Sequence, residues 1–230
     1  MKKNLLGLFL FATIGSQAQT NLQVHYDFGK NRKYITSTLE MFKPDKWGNT
    51  FFFVDYDFNY GADKHPSMSY MEIARCINTW GGPFSAHIEY NGGLGGGPLV
   101  GGASYSYAIN NAWLGGVDYG MHNADYSKTL NLKALYKHIV GKQESAQFTA
   151  VWGLHLLNHK ISLTGFADIW LEDNTNSDGS QTSYTFISEP QFWYNFNSNM
   201  SAGGEVELSS NFAGKHGFMV NPTLAVKWNF

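Results

Sequence analysis

Hydrophobic and polar residues alternate with a period of two along most of this chain. The last thirteen residues, from Phe218 to Phe230, show the pattern most clearly. One parity of this segment is apolar, and its members are Phe218, Val220, Leu224, Val226, Trp228 and Phe230. Because successive side chains of a β-strand point to opposite faces, we predict a strand here with one apolar and one polar face.

The same alternation recurs between residues 22 and 209, and the pattern as a whole predicts twelve strands. The breaks between strands are expected to sort by length onto the two ends of the sheet. The longer breaks are 61–66, 92–110 and 173–181, and those at the opposite end are 43–49, 78–83, 121–125, 158–160 and 197–199. The glycine-rich segment Gly92 to Asn110 is the longest stretch expected to be irregular.

Two prolines resist this scheme. Pro190 and Pro222 fall inside predicted strands. Proline cannot donate a hydrogen bond to a ladder, and a closed barrel has no free edge on which to place it. We therefore expect both at bulges or strand ends near a rim.

The strand count and the sorted connections predict the fold class. Even strand numbers, short turns at one end and longer loops at the other are typical of bacterial outer-membrane barrels. We predict an all-β protein, a closed transmembrane antiparallel β-barrel of about twelve strands over residues 19–230. Phe218–Phe230 should close the ring against Leu22–Phe28, and its aromatic end is similar to the C-terminal signature of such barrels.

The N-terminal residues indicate export. Lys2 and Lys3 precede an apolar stretch from Leu5 to Ile14, and Ser16-Gln17-Ala18 supplies small residues at a cleavage point. Residues 1–18 are therefore predicted to be a signal peptide. No later stretch approaches eighteen consecutive apolar residues, so the sequence excludes a helical membrane protein.

Composition agrees with a barrel that has a polar lumen. Charged residues are only 15% of the chain and aromatic residues 16%. Without Lys2 and Lys3 the chain carries a net charge of about −4, which argues against a nucleic-acid partner. The expected partners are outer-membrane lipid and small polar solutes, and the expected state is a monomer.

The polar parity of the strands supplies the candidate site. Charges packed into a dry interior without partners would cost several kcal/mol each, so their density predicts a wet lumen or a paired network. Inward aromatic faces could stack flat heterocycles, and carboxylates could accept from hydroxyls and amines. The predicted pore-lining or solute-binding residues are Asp27, Phe53, Asp55, Asp57, Glu72, Arg75, His87, Glu89, Lys133, Phe166, Asp168, Trp170, Glu189, Trp193, Glu205 and Glu207.

The sequence predicts no catalytic residue, no metal site and no cofactor. Gly92-Gly93-Leu94-Gly95 and the glycines that follow lack the Lys-Ser/Thr ending of a phosphate loop. Cys76 is the only cysteine, so neither a disulfide framework nor a Cys-based zinc site is expected. Two alternatives stay open: a barrel enzyme acting on lipid A or phospholipid, and a non-conducting structural or adhesion barrel plugged by residues 92–110.

Short motifs resemble the Tsx family of nucleoside-specific outer-membrane channels. They are Ser69-Tyr70-Met71-Glu72-Ile73, Gly82-Pro83-Phe84, Trp113-Leu114-Gly115-Gly116 and Trp228-Asn229-Phe230. The resemblance implies a monomeric twelve-stranded barrel that lets nucleosides diffuse through a narrow pore lined by aromatic and ionisable residues. Of the candidate residues, only Glu72 lies within a motif, and the Gly-rich segment departs from the family pattern.

Overall fold

The protein folds as an all-β structure. The computed structural model describes residues 19–30, 32–62, 64–98 and 103–230. The predicted signal peptide, 1–18, lies outside these ranges. Across the described residues, no helix is long and apolar enough to cross a membrane.

The described ranges contain thirteen strand segments, which form one sheet. They are β1 (Gln19–Asp27), β2 (Ile35–Asp45), β3 (Gly48–Tyr60), β4 (His65–Ile77), β5 (Phe84–Pro98), β6 (Ser104–His122), β7 (Lys128–Ile139), β8 (Ser145–Leu156), β9 (Ile161–Thr175), β10 (Gln181–Ser188), β11 (Gln191–Asn195), β12 (Met200–Ser210) and β13 (Phe218–Asn229). Consecutive strands pair antiparallel, except that β10 and β11 do not pair with each other. Short connections between consecutive strands make this arrangement the natural one.

The sheet closes on itself. β13 pairs with β12 on one side and with β1 on the other, from Asn21 opposite Asn229 to Asp27 opposite Thr223. β10 and β11 both pair with β9 and β12, so they occupy one position in the ring. The ring therefore has twelve positions, which confirms the predicted barrel and the predicted closure by the last strand.

The two faces of the wall are inverted relative to those of a soluble protein. In β1, Gln23 and His25 are buried while Val24 and Tyr26 are exposed. In β13, Asn221 is buried and its neighbours on the opposite parity are exposed apolar residues. Buried polar groups and exposed large hydrophobic groups together are typical of a barrel surrounded by hydrocarbon.

The barrel has two rims. The proximal rim lies at the end of the barrel that carries Gln19 and Phe230, and its connections are 46–47, 78–83, 123–127, 157–160 and 196–199. The distal rim has the connections 140–144, 176–180 and 211–217, together with the described residues that follow β1, β3 and β5. The predicted contrast in length is small, because strands continue through much of the segments predicted as long outer loops.

The glycine-rich segment shows this difference most clearly, because the prediction that 92–110 is irregular was wrong for 92–98 and 104–110, whereas residues 99–102 lie outside the described ranges. β5 runs to Pro98 and β6 begins at Ser104, and the two strands pair over this region. Gly95 lies opposite Tyr107, and Gly97 lies opposite Tyr105. A Cβ on Gly95 would come within 2.4 Å of the Tyr107 ring. Each tyrosine therefore covers a glycine across the ladder, which compensates for the low strand propensity of glycine.

Pro190 lies at a strand end, as predicted, but in the middle of the wall instead of near a rim. The break between β10 and β11 falls at Glu189 and Pro190. β10 pairs with β9 before the break, and β11 pairs with β9 after it. Glycines on both neighbouring strands accommodate it. A Cβ on Gly165 would lie 2.6 Å from the Glu189 carbonyl oxygen, and one on Gly203 would lie within 2 Å of the Phe192 carbonyl oxygen.

Pro222 lies inside β13, on the exposed parity. It is one residue beyond the last pair of the β1–β13 ladder, Asp27 opposite Thr223. Its carbonyl oxygen accepts from the Phe28 amide at 2.9 Å. The proline is therefore placed where its neighbour β1 ends, close to the distal rim.

Candidate pore lining

Fifteen of the sixteen candidate residues lie on the inner face or in the wall break that opens onto it. They share the parity of the buried polar residues of their strands, and Glu189 lies between β10 and β11. The fifteen are Asp27, Phe53, Asp55, Asp57, Glu72, His87, Glu89, Lys133, Phe166, Asp168, Trp170, Glu189, Trp193, Glu205 and Glu207. Their placement follows from the period of the sequence, whereas their role in conduction stays a prediction.

Arg75 is the exception. It lies between Ala74 and Cys76, both buried, and therefore on the opposite parity. Its Nη1 and Nη2 atoms donate to the Asp45 carboxylate at 2.7 and 2.9 Å. This bidentate pair joins the end of β4 to the proximal rim, so Arg75 contributes to the wall and not to the inner face.

Four carboxylates face one another at mid-height, and we call Asp55, Glu72, Glu189 and Glu205 the acidic band. Glu189 is close enough to the other three for direct electrostatic repulsion. β3 and β4, which carry Asp55 and Glu72, lie across the ring from β10 and β12. The four carboxylates therefore form one electrostatically connected region of the lumen.

A guanidinium clamp lies nearer the distal rim. Arg32, in the connection after β1, donates from Nη2 to Glu207 at 3.0 Å, and its Nη1 atom lies 2.8 Å from the second oxygen. The same Nη1 donates to Asp27 at 3.2 Å. Arg32 therefore neutralises two candidate residues at once. The sequence analysis missed Arg32 because it lies in a turn, and only its closeness to Asp27 in sequence was a signal.

The two candidate tryptophans are already covered by cations. The Lys137 Nζ atom lies 3.7 Å from the centre of the Trp170 ring, and the Lys227 Nζ atom lies 3.9 Å from that of Trp193. Trp193 is fully buried and also meets the edge of His25. Such cation–π contacts stabilise the packing but leave these faces closed to a solute.

The aromatic residues beside Glu72 are more open. The Tyr70 hydroxyl donates to Glu72 at 2.8 Å, and the rings of Phe53 and Tyr70 lie 6.1 Å apart. All three residues are partly exposed to the lumen. Because Tyr70 and Glu72 are two residues apart in one strand, they share a face, and the motif that holds both could have predicted the pair.

Part of the inner face is apolar, which the sequence analysis did not predict. Trp170 packs there in a buried cluster whose other members are Ala112, Leu114, Leu135, Ile139 and Ile187. Phe212, from the distal connection 211–217, meets the Trp170 ring edge-on at 6.4 Å. One side of the lumen is therefore filled largely by apolar side chains.

The distal connections 176–180 and 211–217 are tied to each other. The Ser177 amide and hydroxyl both donate to the Gly214 carbonyl at 2.9 Å. Hydrogen bonds from the side chain and amide of Ser180 hold the pKa of Asp178 below its ordinary value, and His216 adds to the effect. These contacts keep the two connections together beside the distal opening.

Three potential metal ligands also meet on the inner face. Cys76, His87 and Asp118 are all buried, and one donor atom from each lies within 4.8 Å of the others. The expectation that Cys76 could join no Cys-based site overlooked partners on other strands. The sequence offers no local signal for them, because strand register alone brings them together.

Comparison with known proteins places the chain in a family. A family model described as a domain of unknown function, DUF5020, matches residues 18–230. The chain belongs to the DUF5020 family. No curated protein matches it significantly.

The DUF5020 barrel is similar to solved porin structures. The NanC porin has a TM-score of 0.59 at 7% identity, and the match covers 92% of this chain and 100% of that chain. The KdgM porin in complex with disordered oligogalacturonate has a TM-score of 0.51 at 10% identity, with 92% and 99% covered. At such identities the DUF5020 chain shares a porin fold with these proteins, and the likeness extends no further.

Proposed function

We propose that this chain is a bacterial outer-membrane channel for the passive diffusion of small polar solutes. The observation that carries the proposal is the closed ring with a polar inner face and an apolar outer face. A closed barrel satisfies every backbone hydrogen bond within hydrocarbon, and the apolar outer face suits that solvent. Ionisable groups such as those of the acidic band need water beside them, which supports a hydrated path through the ring.

The charge of the inner face supports selection among solutes. Carboxylates outnumber cations on this face in the described parts of the chain, and Arg32 neutralises only two of them. An acidic lumen attracts cations and repels anions. We therefore propose that neutral and cationic solutes pass more readily than anions, including acidic sugars such as the oligogalacturonate of the KdgM complex.

Nucleosides remain our leading candidate solute. Because cations cover Trp170 and Trp193, the open aromatic faces beside Glu72 are those of Phe53 and Tyr70. Glu72 lies beside both and could accept from a ribose hydroxyl. This site would favour a flat uncharged solute with hydroxyl groups over a plain sugar of similar size.

A liposome-swelling assay tests both the proposed channel and the proposed preference for nucleosides. Vesicles that contain the refolded protein are placed in isotonic adenosine, glucose, arginine or galacturonate, and empty vesicles serve as the control. We expect swelling in adenosine, glucose and arginine and little in galacturonate, with adenosine faster than its size alone allows. Absence of swelling in every solute would overturn the channel, whereas equal size-corrected rates for adenosine and glucose would overturn only the nucleoside preference.

A further inference from the structure

Near the proximal rim, three neighbouring strands bring a thiol, an imidazole and a carboxylate together. Cys76 is on β4, His87 on β5 and Asp118 on β6, and their exposed fractions are 4%, 1% and 4%. Cys76 lies directly opposite His87, and Asp118 lies two residues beyond Gly116, the partner of His87 on β6. Opposite and diagonal neighbours on one face of a sheet are in side-chain contact. We call these three residues the thiol cluster.

The donor atoms of the thiol cluster have the spacing of metal ligands. The Cys76 Sγ atom lies 3.3 Å from His87 Nδ1 and 3.4 Å from Asp118 Oδ2. A tetrahedral zinc ion binds sulfur at about 2.3 Å and nitrogen or oxygen at about 2.0–2.2 Å, which separates adjacent ligand atoms by roughly 3–4 Å. An ion could therefore enter with small side-chain adjustments and no change of strand register.

His87 and Asp118 each make a further hydrogen bond that holds the side chain in this orientation. The His87 Nε2 atom lies 2.8 Å from the Glu89 carboxylate. The other oxygen of Asp118, Oδ1, accepts from the Asn131 amide at 3.0 Å. Each partner occupies the atom that points away from Sγ, so Nδ1 and Oδ2 remain directed at the sulfur. A carboxylate behind a ligating histidine is a recurrent arrangement in metal sites, where it fixes the tautomer and the ring orientation.

The number of hydrogens in the thiol cluster also favours a cation. Because a carboxylate only accepts, the Glu89 contact places the imidazole hydrogen on Nε2 and leaves a lone pair on Nδ1. Asp118 offers lone pairs as well, and the thiol brings a single hydrogen. Three electron-rich atoms thus share one proton, whereas a divalent ion that replaces it would balance a thiolate and a carboxylate.

We propose that Cys76, His87 and Asp118 form a binding site for a divalent transition-metal ion of the zinc class. Thiolate and imidazole ligands favour such ions over magnesium or calcium. Three protein ligands leave a fourth position for water, as in open zinc sites. Lys133, opposite Asp118 on β7, places a positive charge beside the thiol cluster.

Cobalt absorption tests the proposal directly. The refolded full-length protein, freed of metal with a chelator, is titrated with Co²⁺ and then with Zn²⁺. Because Cys76 is the only cysteine, a thiolate-to-cobalt charge-transfer band can arise only at this residue. We expect a band that saturates near one equivalent, disappears when Zn²⁺ displaces the cobalt, and is absent from Cys76→Ala.

Variants separate the thiol cluster from adventitious binding. His87→Ala and Asp118→Asn should weaken cobalt binding strongly, and Glu89→Gln should weaken it by about tenfold because it removes only the partner behind His87. His155→Ala, which removes another inner-face histidine outside the cluster, should leave the band unchanged.

The competing account is a cluster held by protons alone, with a protonated His87 donating to the sulfur and the thiol donating to Asp118. No charge-transfer band in the wild-type protein at saturating Co²⁺, or a band that survives His87→Ala, would overturn the metal proposal. If a variant fails to fold, the amount of zinc that the wild-type protein retains after desalting tests the proposal instead. Retention far below one equivalent would overturn the metal proposal. Channel activity enters neither readout, so either result leaves the proposed function untouched.

Discussion

Two arginines of this protein make similar ion pairs, but the carboxylates that they bind differ in burial. Arg32 serves two buried carboxylates, Asp27 and Glu207, whereas Arg75 pairs with Asp45 at the proximal rim, where solvent reaches both groups. Removing one partner of a buried ion pair is costly because the remaining charge is left unpaired. Exposed pairs contribute little. Two arginines with similar bonds should therefore have unequal effects on stability.

We predict that Arg32→Met lowers the free energy of unfolding by about 1–3 kcal/mol, a range reduced from the fully buried case because Arg32 is partly exposed. Urea unfolding of the refolded protein in detergent, followed by tryptophan fluorescence, measures this change. Arg75→Met is the matched control and should have a smaller effect. A larger loss for Arg75→Met than for Arg32→Met would contradict our assignment of the clamp.

For single residues, the sequence predicts which face of the sheet a side chain lies on, but it does not predict which side chains it contacts. His87 and Glu89 were predicted on the inner face because a strand has a period of two. The contacts of His87 with Cys76 and Asp118 depend on the register of β4, β5 and β6, which no local pattern specifies. Arg32 was not predicted for a related reason, because side chains in a turn do not alternate between two faces of a sheet.

The elements were predicted most reliably where apolar and polar residues alternate. β1 and β13 were placed and paired from sequence alone. The hairpin of β5 and β6 was not, because glycine is a loop signal when the aromatic residue that covers it is unknown. Pro190 was misplaced for the same kind of reason, since the glycines that make room for the break, Gly165 and Gly203, lie on other strands.

We predict that Gly95→Ala loosens this hairpin, because the new methyl group would displace the Tyr107 ring. Loss of a cross-strand pair is worth up to about 1 kcal/mol. Amide hydrogen exchange at 92–97 and 104–109 should accelerate roughly fivefold, the factor that corresponds to such an energy.

Gly115→Ala is the control for this prediction. It lies in β6, and the nearest atom to its new Cβ is 3.9 Å away. Its exchange rates should match those of the wild-type protein. Unchanged protection in Gly95→Ala would show that the tyrosine does not hold the hairpin together.

The whole molecule is a closed ring. Its inner face is polar and suits water, whereas its outer face is apolar and suits hydrocarbon. An apolar cluster around Trp170 fills part of the lumen, and the electrostatically connected acidic band lies at mid-height. Neither follows from composition, because each depends on which strands face one another across the ring. The sequence predicts the ring, and the structure supplies the arrangement of charged and apolar residues in its interior.

Single-channel recording in a planar bilayer, with a potassium chloride gradient, tests the central claim most directly. We predict discrete conductance steps with a reversal potential that indicates preference for cations. Glu72→Lys should shift that potential toward anion preference, and Glu144→Lys, in an exposed distal connection, should shift it much less. Silent bilayers, or an anion-selective wild-type channel, would contradict the account.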